Sequence, residues 1–247
     1  MITFFRNKVS SIAKLAELIF FPSFCELCSS LLESSEERVI CRSCWERMIP
    51  FSLSHCLCCG RFFEGSTEPH LCQECLEKRP PFTYHRSYGS YRGKLKDAIL
   101  LYKYRRFQVL GGDFARLIFR RLGKEENIWW KADVIIPVPL HPKRKKKRGF
   151  NQAQVIAAGL ARLKGIELEE SVLVKVKNVL PQTFLETEER KRNVSGAFRV
   201  VNEEKIKGKI VILVDDVYTT GSTVRECSMV LKKAGVKEVR ALTLAQA

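Results

Sequence analysis

The second half of the chain alternates between apolar runs typical of buried strands and amphipathic runs typical of helices. The predicted strands are residues 84–91, 134–138, 172–176, 211–214 and 239–244. The predicted helices are residues 94–105, 113–122 and 151–163. Strands that alternate with helices predict an α/β fold, in which a mostly parallel sheet is flanked by helices on both faces. Ligands of such sheets bind beyond the carboxyl ends of the strands.

The N-terminal residues 1–20 carry apolar side chains at helical spacing, at Ile12, Leu15, Leu18 and Ile19. This pattern predicts an amphipathic helix rather than a signal peptide, because a long apolar core and a small-residue cleavage site are both missing. No apolar run in the sequence reaches the roughly 18 residues that a membrane-spanning helix needs. We therefore expect a cytoplasmic protein with no membrane span.

Residues 211–223 combine a buried strand with a polar loop at the start of a helix. The strand is followed by the carboxylates of Asp215 and Asp216, then by a loop at 218–222 and a helix from Thr223. Such a loop binds anions, because its free N–H groups and the helix dipole both favour negative charge. Hydroxyl donors and a glycine that permits close approach complete the predicted phosphate site. These residues are Thr219, Thr220, Gly221, Ser222 and Thr223.

The two carboxylates suit sugar hydroxyls or a divalent cation beside the phosphate. The segment therefore predicts a site for a phosphorylated sugar, and it resembles the type I phosphoribosyltransferase motif that binds phosphoribosyl pyrophosphate (PRPP). It is not a P-loop, because the sequence contains no GxxxxGK[ST]. An ordinary strand, turn and helix with a polar turn is the alternative.

Eight of the ten cysteines form four CxxC pairs, which are arranged as a tandem repeat. Each unit has the form CxxC-x12-CxxC, and the second unit lies 31 residues after the first. The two sets are Cys25, Cys28, Cys41 and Cys44, then Cys56, Cys59, Cys72 and Cys75. Four thiolates on two knuckles suit tetrahedral zinc, so we predict two structural zinc ions. Zinc would supply roughly 10–16 kcal/mol to a segment too short to fold on its own core.

Disulfide bonds and catalytic redox chemistry are the competing interpretations of these cysteines. Disulfides are typical of secreted proteins, and this sequence has no secretion signal. Redox-active CxxC pairs lie in a thioredoxin-like βαβ context, which the sequence around these pairs lacks.

The chain carries 43 Lys and Arg against 27 Asp and Glu, which gives a formal net charge of +16. This charge favours an anionic partner such as nucleic acid or a phosphorylated metabolite, although a solvated surface can have the same composition. His141 and Pro142 precede six consecutive basic residues. They are Lys143, Arg144, Lys145, Lys146, Lys147 and Arg148. We expect this loop to serve pyrophosphate or a nucleic-acid backbone, with a solvated charge run as the alternative.

A second basic region, residues 86–121, has ten Lys and Arg against two Asp, with aromatic residues between them. The aromatics are Tyr88, Tyr91, Tyr102, Tyr104 and Phe107. Aromatic rings among basic groups are typical of proteins that bind single-stranded nucleic acid. Helical spacing nevertheless requires some of these rings to lie in the core.

Several strings together resemble the ComF (ComFC, GntX-like) family over roughly residues 21–244. They are the two cysteine units, LLYKYRRF, VIIPVPLHPKRKKKRGFNQAQ, LPQTFLETEERKRNVSGAF and VILVDDVYTTGSTV. The resemblance implies a double zinc ribbon at 21–82 joined to a type I phosphoribosyltransferase domain at 83–247. It implies that Asp215 and Asp216 face ribose hydroxyls, that 219–223 hold the 5′-phosphate and that 141–144 lie in the pyrophosphate loop. Residues 182–195 would form a flexible loop that closes over the site.

Members of this family that act in natural competence handle incoming single-stranded DNA in the cytoplasm, alongside a helicase partner. The resemblance therefore implies a competence protein with a PRPP-type site, in which Mg²⁺ accompanies the ligand. The alternative is an active transferase that moves phosphoribose from PRPP and Mg²⁺ to an unidentified acceptor. The sequence names no acceptor, so it leaves catalysis open.

Overall fold

The computed structural model describes residues 22–34, 37–48, 54–63, 68–177 and 195–247. The chain divides into two compact units, residues 1–49 and 50–247. The first unit contains the first cysteine repeat and a short helix, α1 (Arg42–Glu46). The second unit contains the second cysteine repeat, with α2 (Gln73–Glu77), and the α/β domain. The limits 1–20, 21–82 and 83–247 stay a prediction from the sequence.

The α/β domain is built on a five-stranded sheet with the order β1-β7-β6-β2-β3, in which every neighbouring pair is parallel. The strands are β1 (Tyr84–Ser90), β2 (Val134–Pro137), β3 (Glu167–Leu168), β6 (Ile210–Tyr218) and β7 (Glu238–Gln246). A separate antiparallel pair consists of β4 (Leu173–Lys175) and β5 (Phe198–Val200). The helices are α3 (Gly93–Tyr104), α4 (Leu110–Leu122), α5 (Glu126–Trp129), α6 (Pro142–Arg148), α7 (Gln152–Lys164) and α8 (Ser222–Lys233). A 3₁₀ turn spans Glu203–Lys205.

This architecture confirms the predicted class of a parallel sheet flanked by helices. Helix α7 packs on β2 and β6, α4 packs on α7, and α8 packs on β6 and β7. Because helices cover the sheet, the central strand β6 is apolar on both sides, and Val211, Ile212 and Leu213 are at most 1% exposed. No helix in the described part of the chain is long and apolar enough to cross a membrane.

Strand β6 is longer than the sequence predicted, because it continues through the two acidic residues to Tyr218. Asp215 pairs with Thr243 and Tyr218 with Gln246, so the ladder to β7 runs to the end of the strand. Acidic residues disfavour strands, which ended the predicted element at residue 214, but pairing with a neighbouring strand overrides that preference. The connecting loop is correspondingly short, residues 219–221, and α8 begins at Ser222 rather than at Thr223.

The basic run was predicted as a loop and is a helix, α6. Pro142 occupies its first turn, where a missing N–H costs nothing. The ring of His141 caps the helix by accepting a hydrogen bond from the Lys143 N–H at 3.3 Å. Gly149, with a φ of 88°, ends it. An unbroken run of charges shows no apolar periodicity, so the pattern could not reveal the helix.

The cysteine repeat of the sequence is also a repeat of structure. The isolated bridge between Phe24 and Leu31 recurs between His55 and Phe62, again 31 residues further on. Helix α2 likewise lies 31 residues after α1 in the sequence, and each helix begins directly after the third cysteine of its unit. The duplication therefore preserved the backbone of each unit as well as its cysteine spacing.

Candidate functional site

A pocket of about 180 Å³ opens at the carboxyl ends of β2 and β6. We call it the strand-end pocket. Its charged lining residues are Lys103, Arg144, Arg148, Lys175, Asp215 and Asp216. Four basic groups against two carboxylates give the pocket a surplus of positive charge, which suits an anionic ligand.

Asp215 and Asp216 are successive residues of β6, so their side chains leave opposite sides of the strand. Asp216 forms an ion pair with Lys103 of α3, with 2.9 Å between Oδ1 and Nζ. The carboxylate of Asp215 accepts a hydrogen bond from the Asp216 N–H at 2.8 Å. Burial, followed by the neighbouring charge of Asp216, raises the pKa of Asp215 to about 7. One carboxylate therefore has a cationic partner, and the other can take up a proton near neutral pH.

The loop between β6 and α8 is held in a tight conformation. Gly221 has a φ of 73°, and a Cβ at this position would lie 2.2 Å from the hydroxyl oxygen of Tyr218. The hydroxyl oxygens of Thr220 and Ser222 lie 2.7 Å apart. Thr219 and Thr223 line the strand-end pocket, so the two ends of the predicted phosphate loop reach it. Only glycine combines this backbone angle with this close approach.

Helix α6 divides the basic run between the pocket and solvent. Arg144 and Arg148, four residues apart on one side of the helix, line the pocket. The lysines Lys143, Lys145, Lys146 and Lys147 are exposed. Desolvation, followed by the nearby charge of Arg148, lowers the pKa of Arg144. The basic run is thus divided between a side of the helix that lines the pocket and a side that is exposed.

Gln152, the first residue of α7, also lines the pocket and is only 1% exposed. Its Oε1 accepts a hydrogen bond from Arg148 at 3.0 Å. Its Nε2 has no hydrogen-bond partner among the described residues. A buried donor left without a partner costs about 1–3 kcal/mol, so this amide is a donor that an acceptor atom could still satisfy.

Lys103, Gln152 and Lys175 are among the lining residues that were not predicted as site residues from the sequence. Lys175 interrupts the apolar run 172–176, and a charge inside a buried-strand pattern was the signal that could have found it. It lies on β4, and desolvation lowers its pKa. Lys103 left no such signal, because its place beside Asp216 depends on how α3 packs on the sheet.

The aromatic residues of the second basic region have separate roles. Tyr88 and Tyr102 are core residues, and the Tyr102 hydroxyl donates to the Gln152 carbonyl at 2.9 Å. Tyr91 and Tyr104 line the strand-end pocket, and Tyr104 is 60% exposed, with the guanidinium of Arg148 5.7 Å from its ring centroid. Tyr104 is therefore the ring in this group with the most surface for stacking.

Each cysteine tetrad has the geometry that zinc requires. The four sulfur atoms of each set lie within 4.8 Å of one another. The Cys28–Cys41 and Cys59–Cys72 sulfur pairs are both 3.6 Å apart, close to the roughly 3.8 Å edge of a tetrahedron with 2.3 Å zinc–sulfur bonds. The Cys41 and Cys72 N–H groups donate to the sulfurs of Cys25 and Cys56, both at 3.3 Å, as is typical of thiolate ligands. Both sets of donors therefore fit a structural zinc ion.

Two predicted segments lie largely or wholly outside the described residues. They are the amphipathic helix at residues 1–20 and the closing loop at residues 182–195, of which only Ser195 is described.

Two family models match the chain. A phosphoribosyl transferase domain covers residues 112–247, and a double zinc ribbon domain covers residues 17–77. Competence protein F of Haemophilus influenzae is 34% identical over 162 residues, which are 64% of this chain and 71% of that protein. The chain belongs to the ComF family. Competence protein ComFC of Streptococcus pneumoniae is 32% identical, over 65% of this ComF chain and 67% of its own length.

The DNA utilization protein YhgH of Escherichia coli K12 is 36% identical to this ComF protein over 44% of the chain. That alignment covers 47% of YhgH, about half of its length. A solved structure of glutamine PRPP amidotransferase from B. subtilis is 27% identical and covers 55% of this chain and 25% of that one, with a TM-score of 0.35. The assignment of the fold rests on the sheet order and on the family models.

Proposed function

We propose that this ComF protein binds a phosphoribosyl ligand of the PRPP type in the strand-end pocket and handles single-stranded DNA in the cytoplasm during natural transformation. The observation that carries the proposal is the convergence at one sheet edge of the acidic pair, the hydroxyl-rich loop and four basic side chains. A phosphorylated sugar needs all three, since carboxylates suit hydroxyls, whereas N–H groups and cations suit phosphates.

In this proposal Asp215 and Asp216 accept hydrogen bonds from the ribose hydroxyls. Residues 219–223, at the N-terminus of the twelve-residue helix α8, hold the 5′-phosphate. Arg144, Arg148 and Lys175 stabilise the pyrophosphate group. The unpartnered Nε2 of Gln152 supports an acceptor oxygen nearby.

Mg²⁺ fits this site as a companion of the ligand. It is usually held by one or two carboxylates together with phosphate oxygens, and Asp215 and Asp216 offer those carboxylates. In the described residues the metal-binding clusters are the two cysteine tetrads, with no carboxylate cage of the same kind. Mg²⁺ would therefore enter with the pyrophosphate and neutralise part of its charge.

The DNA part of the proposal rests on the exposed basic side chains beside the pocket and on the names of the relatives. Arg106 donates a hydrogen bond to the Lys147 carbonyl at 3.1 Å, which joins the end of α3 to α6. We call Arg105, Arg106 and the exposed lysines of α6 the basic patch. Its charges neutralise phosphates without reading sequence, and the exposed ring of Tyr104 can stack on a base. Partnership with a helicase belongs to the same proposal.

Calorimetry with PRPP and Mg²⁺ tests the ligand. Each charged hydrogen bond is worth about 1.5–3 kcal/mol, so Asp215→Ala with Asp216→Ala should weaken binding at least ten-fold. Asp97→Ala, which removes an exposed carboxylate of α3, is the control and should bind as the wild type does. Absence of PRPP binding by the zinc-loaded wild type would refute the proposed ligand and leave the DNA role to be judged on its own.

The second candidate is catalysis, favoured by the four basic groups that line the pocket. In a transferase the C1′–oxygen bond to pyrophosphate breaks, a bond from C1′ to the acceptor forms, and the cations stabilise the departing charge. Pyrophosphate release in the presence of PRPP and a panel of nucleobases tests it. Release that depends on one base would establish the transferase, and none with any base would favour a binding role.

A further inference from the structure

The second cysteine tetrad is built onto the first strand of the sheet. The carbonyl of Cys58 accepts a hydrogen bond from the His85 N–H at 2.7 Å. The carbonyl of Cys59 lies 2.9 Å from Nδ1 of the same histidine. The backbones approach so closely that a Cβ on Gly60 would lie 2.5 Å from the His85 carbonyl oxygen. The knuckle and β1 thus form one hydrogen-bonded unit.

His85 has no exposed surface and connects this knuckle to the end of β6. Its Nε2 lies 2.8 Å from the hydroxyl oxygen of Thr243 in β7. Because a carbonyl can only accept, Nδ1 carries the proton towards Cys59, and Nε2 accepts from Thr243. The two hydrogen bonds fix the plane of the ring, which stacks on Tyr218 with 4.0 Å between centroids and 18° between planes.

The side chain of Tyr218 in turn packs against the loop that is assigned to the phosphate. Its hydroxyl is the atom that a Cβ on Gly221 would meet at 2.2 Å. Its backbone is also fixed, because its carbonyl accepts from the Ala247 N–H at 2.9 Å. The ring of Tyr218 therefore determines how closely the loop 219–221 can fold down towards α8.

A second connection reaches the first turn of α8 from the same knuckles. Glu74, on the helix that follows Cys72, forms ion pairs at 2.8 Å with both Arg61 and Arg225. Arg225 donates its backbone N–H to the Gly221 carbonyl at 2.8 Å. The cysteines of this tetrad also share one apolar core with Tyr218 and Val224. The loop is therefore contacted from two sides by residues that are themselves bonded to the second cysteine unit.

We propose that zinc in the second tetrad positions the phosphate loop, through His85 and Tyr218, so that phosphosugar affinity depends on this zinc ion. His85 is a positioning residue, because it contacts Tyr218, which packs against the loop, and does not contact the ligand. The inference rests on the proposed function for its ligand. It adds that the second ribbon is part of the site's architecture.

The test measures binding of ribose 5-phosphate and amide hydrogen exchange of the loop 219–222 in one set of zinc-loaded variants. Cys72→Ser removes the second zinc ion, and Cys41→Ser, in the first tetrad, is the matched control for loss of a metal ion. We expect Cys72→Ser to weaken binding about ten-fold and to speed exchange in the loop. We expect Cys41→Ser to leave both unchanged, because every contact described above begins at the second tetrad.

Two further variants keep the test decisive if Cys72→Ser unfolds the domain. His85→Leu removes the stack and the Cys59 hydrogen bond, and Glu74→Gln removes the charge that pairs with Arg225 from a half-exposed position. An aromatic pair is worth about 0.5–1.5 kcal/mol, so His85→Leu should weaken binding roughly two- to ten-fold and speed exchange in the loop. Glu74→Gln should speed exchange in the first turn of α8.

A double-mutant cycle separates coupling from general destabilisation. The effects of Cys72→Ser and His85→Leu on binding should be strongly non-additive, because both act through the same contact. Additive effects, or unchanged exchange of the loop in His85→Leu together with unchanged exchange of the first turn of α8 in Glu74→Gln, would overturn the inference. Absence of ribose 5-phosphate binding by the wild type would instead refute the proposed function, and the exchange data would still judge the coupling.

Discussion

Lys103 and Asp216 join helix α3 to the end of strand β6 by an ion pair of 2.9 Å in which neither side chain is more than 15% exposed. The pair compensates one of two adjacent carboxylates in a partly enclosed site. Asp215 is the carboxylate whose ionised form is disfavoured, because burial and the charge of Asp216 both raise its pKa. The two carboxylates therefore differ in electrostatic environment without a bound ligand.

Lys103→Met should destabilise the protein by about 3 kcal/mol, because it leaves Asp216 charged and enclosed next to Asp215 without its cation. Urea unfolding of the zinc-loaded protein measures the change. Adding Asp216→Asn should restore most of the lost stability, since a neutral amide then replaces the unpaired carboxylate. Lys124→Met, at an exposed position, is the control, and an equal loss in that variant would contradict the role given to the pair.

The raised pKa of Asp215 predicts how stability depends on pH. Its folded-state pKa of about 7 lies above the ordinary 3.8, so the native state holds the proton more tightly. This contribution is complete below about pH 4 and is lost as the pH rises through 7. The stability of Asp215→Asn relative to wild type should therefore increase between about pH 4 and 7. A difference that stays constant across this range, as expected for Asp97→Asn, would contradict the prediction.

Gly221→Ala should destabilise the loop by roughly 1–3 kcal/mol, since alanine is strained at a positive φ and its Cβ would collide with Tyr218. Phosphosugar affinity should fall with it. The matched control is Gly112→Ala in α4, where a Cβ meets no atom within 4 Å. That variant should gain about 0.5–1 kcal/mol from helix propensity. Thermal unfolding and calorimetry of both variants check the contrast, which equal effects would contradict.

The two faces of α6 should separate DNA binding from phosphosugar binding. Each phosphate neutralised contributes about −0.7 to the slope of log affinity against log salt for single strands. Lys145→Ala, Lys146→Ala and Lys147→Ala together should flatten that slope by roughly two units. They should leave PRPP affinity unchanged, because these lysines lie outside the pocket lining.

Arg144→Ala is the reciprocal variant and should weaken PRPP binding more than DNA binding. An unchanged salt slope in the triple variant would remove α6 from the DNA path. Competition between PRPP and DNA for the wild type would show that the pocket and the basic patch cannot be occupied together.

The sequence predicted the class of the sheet, the cysteine repeat and the start of a helix shortly after the acidic pair, because each depends on a local pattern. Apolar strands such as residues 134–138 and a fixed CxxC spacing are visible without knowledge of packing. The limits of β6 were not visible, since pairing with β7 carried the strand through Asp215 and Asp216.

Residues brought together from distant elements could not be predicted in the same way. Lys103, Gln152 and Lys175 line the same pocket as the acidic pair only because the end of α3, the start of α7 and the end of β4 lie beside it. The stack of His85 on Tyr218 joins two strands that are separated by β7 in the sheet and by more than a hundred residues in sequence. No periodicity records such a contact, because it arises from the order of the strands.

A crystal structure of the zinc-loaded protein with ribose 5-phosphate would locate the phosphosugar. We expect the 5′-phosphate within hydrogen-bond distance of the N–H groups of residues 221–223, and the ribose hydroxyls on Asp215 and Asp216. A phosphate bound instead by the exposed lysines of α6, or a strand-end pocket without ligand at saturating concentration, would refute the proposed site.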